Sequence, residues 1–265
     1  MFRAFSLDIR EGNPFASWHQ NGKAFIEGRW PKSERAFDSY VEEAVIDGDG
    51  IREHWFSKLN ADVFISHSHN DEAMAVGLAG YLANLGLRPF VDSLVWHDSV
   101  TLLESIDQRF CRSDDDPKTF DYNKRNYSTS HVHMMLASAL AESIDQCECV
   151  LFLNTPRSIQ VRDSKEPNKA VTASPWIYHE LITTQLIARR RHGDRVTKGF
   201  GIEDARVLAE AVQPTPVRVE YRAPMDHLAE LTFQSLENLR LKSLQRFEAL
   251  DELYREHPAP GPKKG

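Results

Sequence analysis

Trp176 and Glu180 stand four residues apart in Ser174-Pro-Trp-Ile-Tyr-His-Glu180. That spacing puts both on one face of a helix, so that an indole and a carboxylate project toward the same space. An aromatic plane beside an acid suits a ribose-linked base. The plane stacks on the ring, while the carboxylate accepts from ribose hydroxyls or stabilises an oxocarbenium-like centre as a glycosidic bond breaks. Spacing alone is better met by Trp176 as a core anchor and Glu180 as a solvated surface acid.

A second set of candidates lies about a hundred residues earlier. In Asp62-Val-Phe-Ile-Ser-His-Ser-His-Asn-Asp71 a short apolar run ends abruptly in small and polar residues, and a helical pattern follows at once. Ligands of parallel sheets bind at the C-terminal ends of strands. The residues expected there are Ser66, His67 and Ser68 after one strand, Asp92 and Ser93 after the next, and Asn154 and Thr155 after a third.

The elements that must position these residues are legible from Asp62 onward. A strand Asp62–Ser66 precedes a helix from about Asp71 to Leu85, whose Ala75, Leu78, Ala79, Leu82 and Leu85 keep i, i+3, i+4 spacing. Gly86 ends that helix, and a short strand spans Arg88 to Asp92. Strand, helix and strand in this order predict a βαβ unit with parallel pairing. A helix from His131 to Ile144 feeds the strand Cys149–Asn154, and Ser174 is a suitable N-cap for a helix from Pro175 to about Arg191. Pro216–Tyr221 reads as a last strand and Met225–Tyr254 as one or two helices. Between Ser93 and Ser130 the pattern lapses into what reads as a long polar loop. The predicted organisation is an N-terminal extension (1–60) packed on the core, with a helix from Ser33 to Ala44, a turn at Gly48 to Gly50 and a short helix through Trp55 and Phe56. A main domain (61–222) with the 93–130 loop, C-terminal helices (223–256) and a disordered tail (257–265) follow.

Composition narrows the function classes. The chain has 265 residues, of which 41% are hydrophobic and 27% charged, ordinary for a globular protein, and no apolar run is long enough for a membrane span. No secretory signal is evident at Met1, so a cytoplasmic location without membrane contact is expected. A net charge of −7 argues against nucleic acid as a partner. Cys111, Cys147 and Cys149 form no CxxC pair and read as packing residues.

The blocks from Asp62 to Asp71, Gly86-Leu-Arg-Pro-Phe-Val-Asp92, Cys149–Asn154 and Ser174–Glu180 resemble, in order and spacing, the successive blocks of a bacterial-type TIR (Toll/interleukin-1 receptor) domain. The resemblance covers about Asp62 to Tyr221. It implies a flavodoxin-like three-layer α/β fold with a central parallel sheet, and cleavage of the nicotinamide–ribose bond of NAD to ADP-ribose or a cyclic or conjugated signal, in bacterial antiphage defence. NAD is then the substrate, with no cofactor or metal. Glu180 is the implied catalytic residue, and Trp176, Ser66, His67, Asp92 and Trp96 are the implied substrate-binding residues. Partners implied by the resemblance are further TIR domains, through self-association, and a separate effector or activator. The 93–130 loop is far longer than that family's usual loop.

The sequence also fits two other classes. A TIR domain can act as a non-catalytic interaction scaffold, for which Glu180 would be incidental. His67-Ser-His69-Asn-Asp71 also resembles the first part of the H-x-H-x-D-H motif of metallo-β-lactamase-type hydrolases, with Glu72 in place of the last histidine and His131 and His133 as the other available ligands.

Overall fold

The computed structural model describes residues 2–29, 37–42, 45–55, 61–162, 169–187 and 219–260. In chain order the elements begin with β1 (Arg3–Asp8), α1 (His19–Arg29), the short strands β2 (Val41–Glu42) and β3 (Val45–Ile46), and α2 (Gly48–Trp55). Next come β4 (Val63–Ser66), α3 (Glu72–Asn84), β5 (Pro89–Val91), α4 (Ser93–Phe110), α5 (Tyr122–Gln146) and β6 (Cys149–Asn154). The chain continues through β7 (Gln160–Arg162), β8 (Lys169–Thr172), α6 (Pro175–Leu186), β9 (Tyr221–Arg222), β10 (Ala229–Thr232), α7 (Phe233–Leu241) and α8 (Phe247–Glu256).

Five strands form a parallel sheet in the order β10–β1–β6–β4–β5. Helices cover both faces, giving the expected three-layer, flavodoxin-like α/β fold. Side-chain alternation divides each strand between two cores. From β6, Cys149, Leu151 and Leu153 join Leu78, Leu82, Leu236 and Leu253 on one face. Val150 and Phe152 join Ile51, Leu102, Ile106, Leu140 and Leu181 on the other. The first face therefore carries α1, α3, α7 and α8, and the second α2, α4, α5 and α6.

The βαβ expectation from Asp62 to Asp92 holds, with β4 and β5 in parallel register from Val63↔Pro89 to Ile65↔Val91. Gly86 adopts φ +74°, the left-handed conformation a helix-ending glycine is suited to. Asp62 anchors the edge of this unit. Its carboxylate accepts from the backbone N–H and guanidinium of Arg88, tying the start of β4 to the start of β5.

Three expectations are corrected. The first strand of the sheet comes from residues read as an extension: β1 lies between β6 and β10, pairing Arg3↔Cys149 through Asp8↔Asn154 and Phe5↔Ala229 through Asp8↔Thr232. In a flavodoxin-like sheet of order 2-1-3-4-5, β5, β4 and β6 hold the first three places. β1 and β10 fill the last two. The 93–130 segment is not a loop but α4, a short turn with an Arg112↔Phe120 bridge, and the start of α5, capped by Asp121 through Lys124 N at 2.8 Å. Leu102 and Ile106 bury one stripe of α4 in the second core, which is what keeps it helical. Finally, Tyr221 belongs to a separate antiparallel sheet, β7–β8–β9, and the last strand of the main sheet is β10, taken from a stretch read as helical.

Elsewhere, Phe37–Tyr40 forms a 3₁₀ turn rather than part of a longer helix, and Gly48–Gly50 opens α2. Val41–Glu42 of the helix predicted from Ser33 is strand β2, while its residues 33–36 and 43–44, the Phe56 end of the next one, residues 188–191 and 216–218, and the tail from 261 lie outside the described residues.

Candidate functional site

Ser66, His67, Asp92 and Glu180 converge at the C-terminal ends of β4 and β5. The convergence follows from three local features. β4 ends at Ser66 with its side chain on the second face, in alternation with Ile65. β5 ends one residue before Asp92, whose N–H donates to Ile65 O at 3.3 Å. Ser174 caps α6 by accepting from Ile177 N at 3.2 Å, with Pro175 in the first turn, so Glu180 is delivered on the second turn of a well-started helix.

The contacts are close. Ser66 Oγ donates to Glu180 Oε2. His67 Nδ1 faces Asp92 Oδ1, and the His67 backbone N–H reaches Asp92 Oδ2 at 3.3 Å. All four side chains are buried, with Glu180 only 1% exposed and Asp92 not at all. Glu180 Oε1 has no hydrogen-bond partner of regular geometry among the described residues, and the Asp92 carboxyl is a close electrostatic neighbour of this acid.

Burial sets the protonation states. Loss of water raises Glu180 well above the usual carboxylate range, and the neighbouring Asp92 charge raises it further, against the opposing Ser66 hydrogen bond. Asp92 is also raised by burial, opposed by the hydrogen bond from the His67 backbone. The two carboxyls titrate as a pair, and a proton held between them avoids two buried like charges. His67 is lowered by burial to about 4, although Glu180, Glu72 and Asp71 pull the other way. The ring is therefore neutral at physiological pH.

The His67 state has a measurable consequence. Its folded value of about 4 lies below the unfolded value of 6.5, so the unfolded chain binds the extra proton between them. Stability from this group is full above pH 6.5 and is lost as pH falls toward 4, by about 3 kcal/mol at most. Imidazole carbon resonances of His67 should stay those of a neutral ring down to about pH 5, and a midpoint near 6.5 would show that the ring is not desolvated.

Of the other candidates, Trp176 is half-buried and its ring packs edge-on against His133 of α5, with centroids 5.5 Å apart. The ring contact is thus with a helix of the same layer, and burial lowers His133. The expected pairing of Trp176 with Glu180 in one open space is replaced by an anchoring Trp and a fully buried acid. Trp96 lies in α4, and its side chain is outside the described residues. His179 Nε2 meets Ala137 O at 3.1 Å and fixes α6 on α5.

The residues of the alternative metal motif go separate ways. His67 is buried against Asp92, His69 is exposed, and Asp71 accepts from Thr155 Oγ1 at 2.6 Å. Among the described residues no three His, Cys, Asp or Glu side chains are gathered as a metal site. None of the described helices is long and apolar enough to cross a membrane.

Fold and site together define a three-layer α/β protein with a buried Ser–His–Asp–Glu constellation at the strand ends. No protein-family model matches the chain, and no curated protein or solved structure matches it.

Proposed function

We propose that this chain is a TIR-type enzyme that cleaves the nicotinamide–ribose bond of NAD, with Glu180 as the catalytic carboxyl, acting in bacterial antiphage defence. The observation that carries the reading is the buried Glu180 carboxyl, fixed by Ser66 at the end of a central strand, with its second oxygen lacking a hydrogen-bond partner among the described residues and Asp92 as an electrostatic neighbour. A buried polar atom without a regular partner is costly, and a folding core has no need of a second carboxyl beside it.

The chemistry asks little of the protein beyond this group. Nicotinamide leaves with the electron pair of the glycosidic bond, becoming neutral, while positive charge develops at the anomeric carbon. Glu180 supplies the compensating negative charge. Before substrate binds the acid holds a proton; a nearby pyridinium favours the charged form and releases it. Ser66 orients the carboxylate, and the Asp92–His67 contacts hold the end of β4 in place. Water, an internal nitrogen or another nucleophile then completes ADP-ribose, a cyclic product or a conjugate.

The raised Glu180 predicts the sign of the pH response. Below the apparent value of the carboxyl pair the acid stays protonated and cannot meet developing positive charge, so kcat/KM for NAD should rise with pH through that value. A pH–rate profile with a flat acid limb, or one rising toward acid, would contradict the role given to Glu180.

The burial of all four side chains favours a resting form that opens on self-association or on binding an activator. Specific activity should then rise with protein concentration. The same burial is what a scaffold would show, with Glu180 serving the fold alone. A scaffold gives assembly without nicotinamide release at any concentration.

A further inference from the structure

We infer that the cleft between the β1 and β6 loops is a diphosphate-binding subsite that receives the pyrophosphate of a nucleotide whose ribose end reaches Glu180. Its assignment to the substrate rests on the NAD reading, whereas its chemistry does not. The cleft has a volume of about 320 Å³, and its polar lining is Arg10 and Asn13 after β1, Asn70 and Asp71 at the approach to α3, and Thr155 and Arg157 after β6; its one carboxylate, Asp71, is buried and engaged by Thr155 and Arg157.

The lining is rich in donors held in place by neighbouring structure. Thr155 Oγ1 donates to Asp71 and accepts from the Arg157 and Ser158 N–H groups at 3.1 and 3.2 Å, so the β6 loop is knotted around buried Thr155, Ser158 and Asp71. That knot sets Arg157, whose Nη1 bonds Asn70 O at 2.7 Å and only loosely meets Asp71 at 3.4 Å. Its side chain remains 63% exposed. Arg10 forks onto Asp8 at 2.7 Å with both partners half-exposed, an exposed pair worth little, which an incoming phosphate can replace. Asn13 Oδ1 is already engaged by Phe15 N at 3.0 Å, which leaves its amide NH2 to offer. Gly12, at φ +69°, turns the β1 loop over the cleft.

Position gives the ligand its direction. β4 leads to α3 on the first face, whereas β6, its neighbour in the sheet, leads on to α6 on the second, and the crevice at such a switch point is where open parallel sheets bind ligands. Glu180 stands on the second-face side of this crevice and the arginine cleft on the first-face side. β1 is two strands from β4, roughly 10 Å, within reach of an extended dinucleotide.

The test is binding of ADP, adenosine and NAD by calorimetry to the full chain and to Arg157→Gln, Arg10→Gln and Glu180→Gln, each checked for an unchanged circular dichroism spectrum. ADP should bind in a salt-dependent manner and adenosine far more weakly. Each arginine substitution should weaken ADP by at least about tenfold, the loss expected for a charge-assisted contact. Glu180→Gln should leave ADP binding unchanged. ADP that does not bind the wild type, or that binds both arginine variants as well as the wild type, overturns the subsite. Arginine-dependent ADP binding without NAD cleavage would instead keep the subsite and remove the NAD reading, and cleavage with an unchanged KM in both variants would do the reverse.

Discussion

Glu180→Gln is expected to cut nicotinamide release from NAD by at least about 10²–10³-fold, the loss typical of removing one preorganised charge-stabilising group. Its effect on stability has a different sign at different pH. The introduced amide keeps the volume, still accepts from Ser66, and turns a donor toward Asp92 where the acid had its proton. Near pH 5 the change should therefore be within about 1 kcal/mol. At higher pH the wild type is at a disadvantage: its native Glu180 holds a proton that the unfolded chain has lost above the ordinary value of 4.5. Native protons exceed unfolded protons in that window, so stability falls as pH rises toward the raised folded value. The variant lacks this loss, and its urea midpoint should overtake that of the wild type between pH 5 and 8. A variant that unfolds at every pH would show that Glu180 serves the fold.

Gly80→Ala is expected to be among the most damaging conservative changes in the scaffold, by about 3 kcal/mol or more, the upper end of overpacking costs. A methyl there would stand 2.3 Å from Trp18 O and 2.5 Å from Gly22 N. Both obstacles are backbone, so no side chain can swing aside, and α1 would have to move off α3. The same crossing would place a methyl on Gly22 only 1.9 Å from Val76 O. Gly28, near the end of α1, has nothing within 4 Å. Gly28→Ala should be neutral or stabilise by up to about 1 kcal/mol through helix propensity. Equal unfolding midpoints for the two variants would mean that the helices do not meet at these glycines. The crossing also serves the site: α1 hangs from the loop carrying Arg10 and Asn13, and α3 begins beside Asp71.

What could be read in the sequence was what local pattern encodes. β4, α3 and β5 were visible because a short apolar run, a helical stripe and a helix-ending glycine follow one another within about thirty residues, and β6 because its own apolar run follows the helical stripe ending at Ile144. α6 was visible through Ser174 and Pro175. β1 was not, because its four buried positions, Ala4 to Leu7, form a short run of mixed polarity and its partners lie at 149–154 and 229–232, a pairing that no local window contains. β10 was hidden for the same reason, its Ala229 and Leu231 alternating inside a Leu- and Glu-rich stretch that also suits a helix. The first turns of α5, from Tyr122 to Asn126, are largely exposed and show no apolar stripe, so the helix declared itself only later. At the site, the strand pattern was sufficient to bring Ser66, His67 and Asp92 to strand ends, whereas Glu180, on its own helix, was joined to them only through the family resemblance. Their burial, and the contact of Glu180 with Asp92, depend on α6 lying over β4, which spacing along one helix does not reveal.

The most direct test of the account is nicotinamide release from NAD by the purified protein across a wide concentration range, with Glu180→Gln alongside, a chelator in parallel samples, and products identified by mass. The account predicts release that grows with concentration, needs Glu180 and ignores the chelator, with ADP-ribose or a cyclic or conjugated form as the second product. NAD left intact at every concentration with the protein folded and assembled, or cleaved equally by Glu180→Gln, would contradict it.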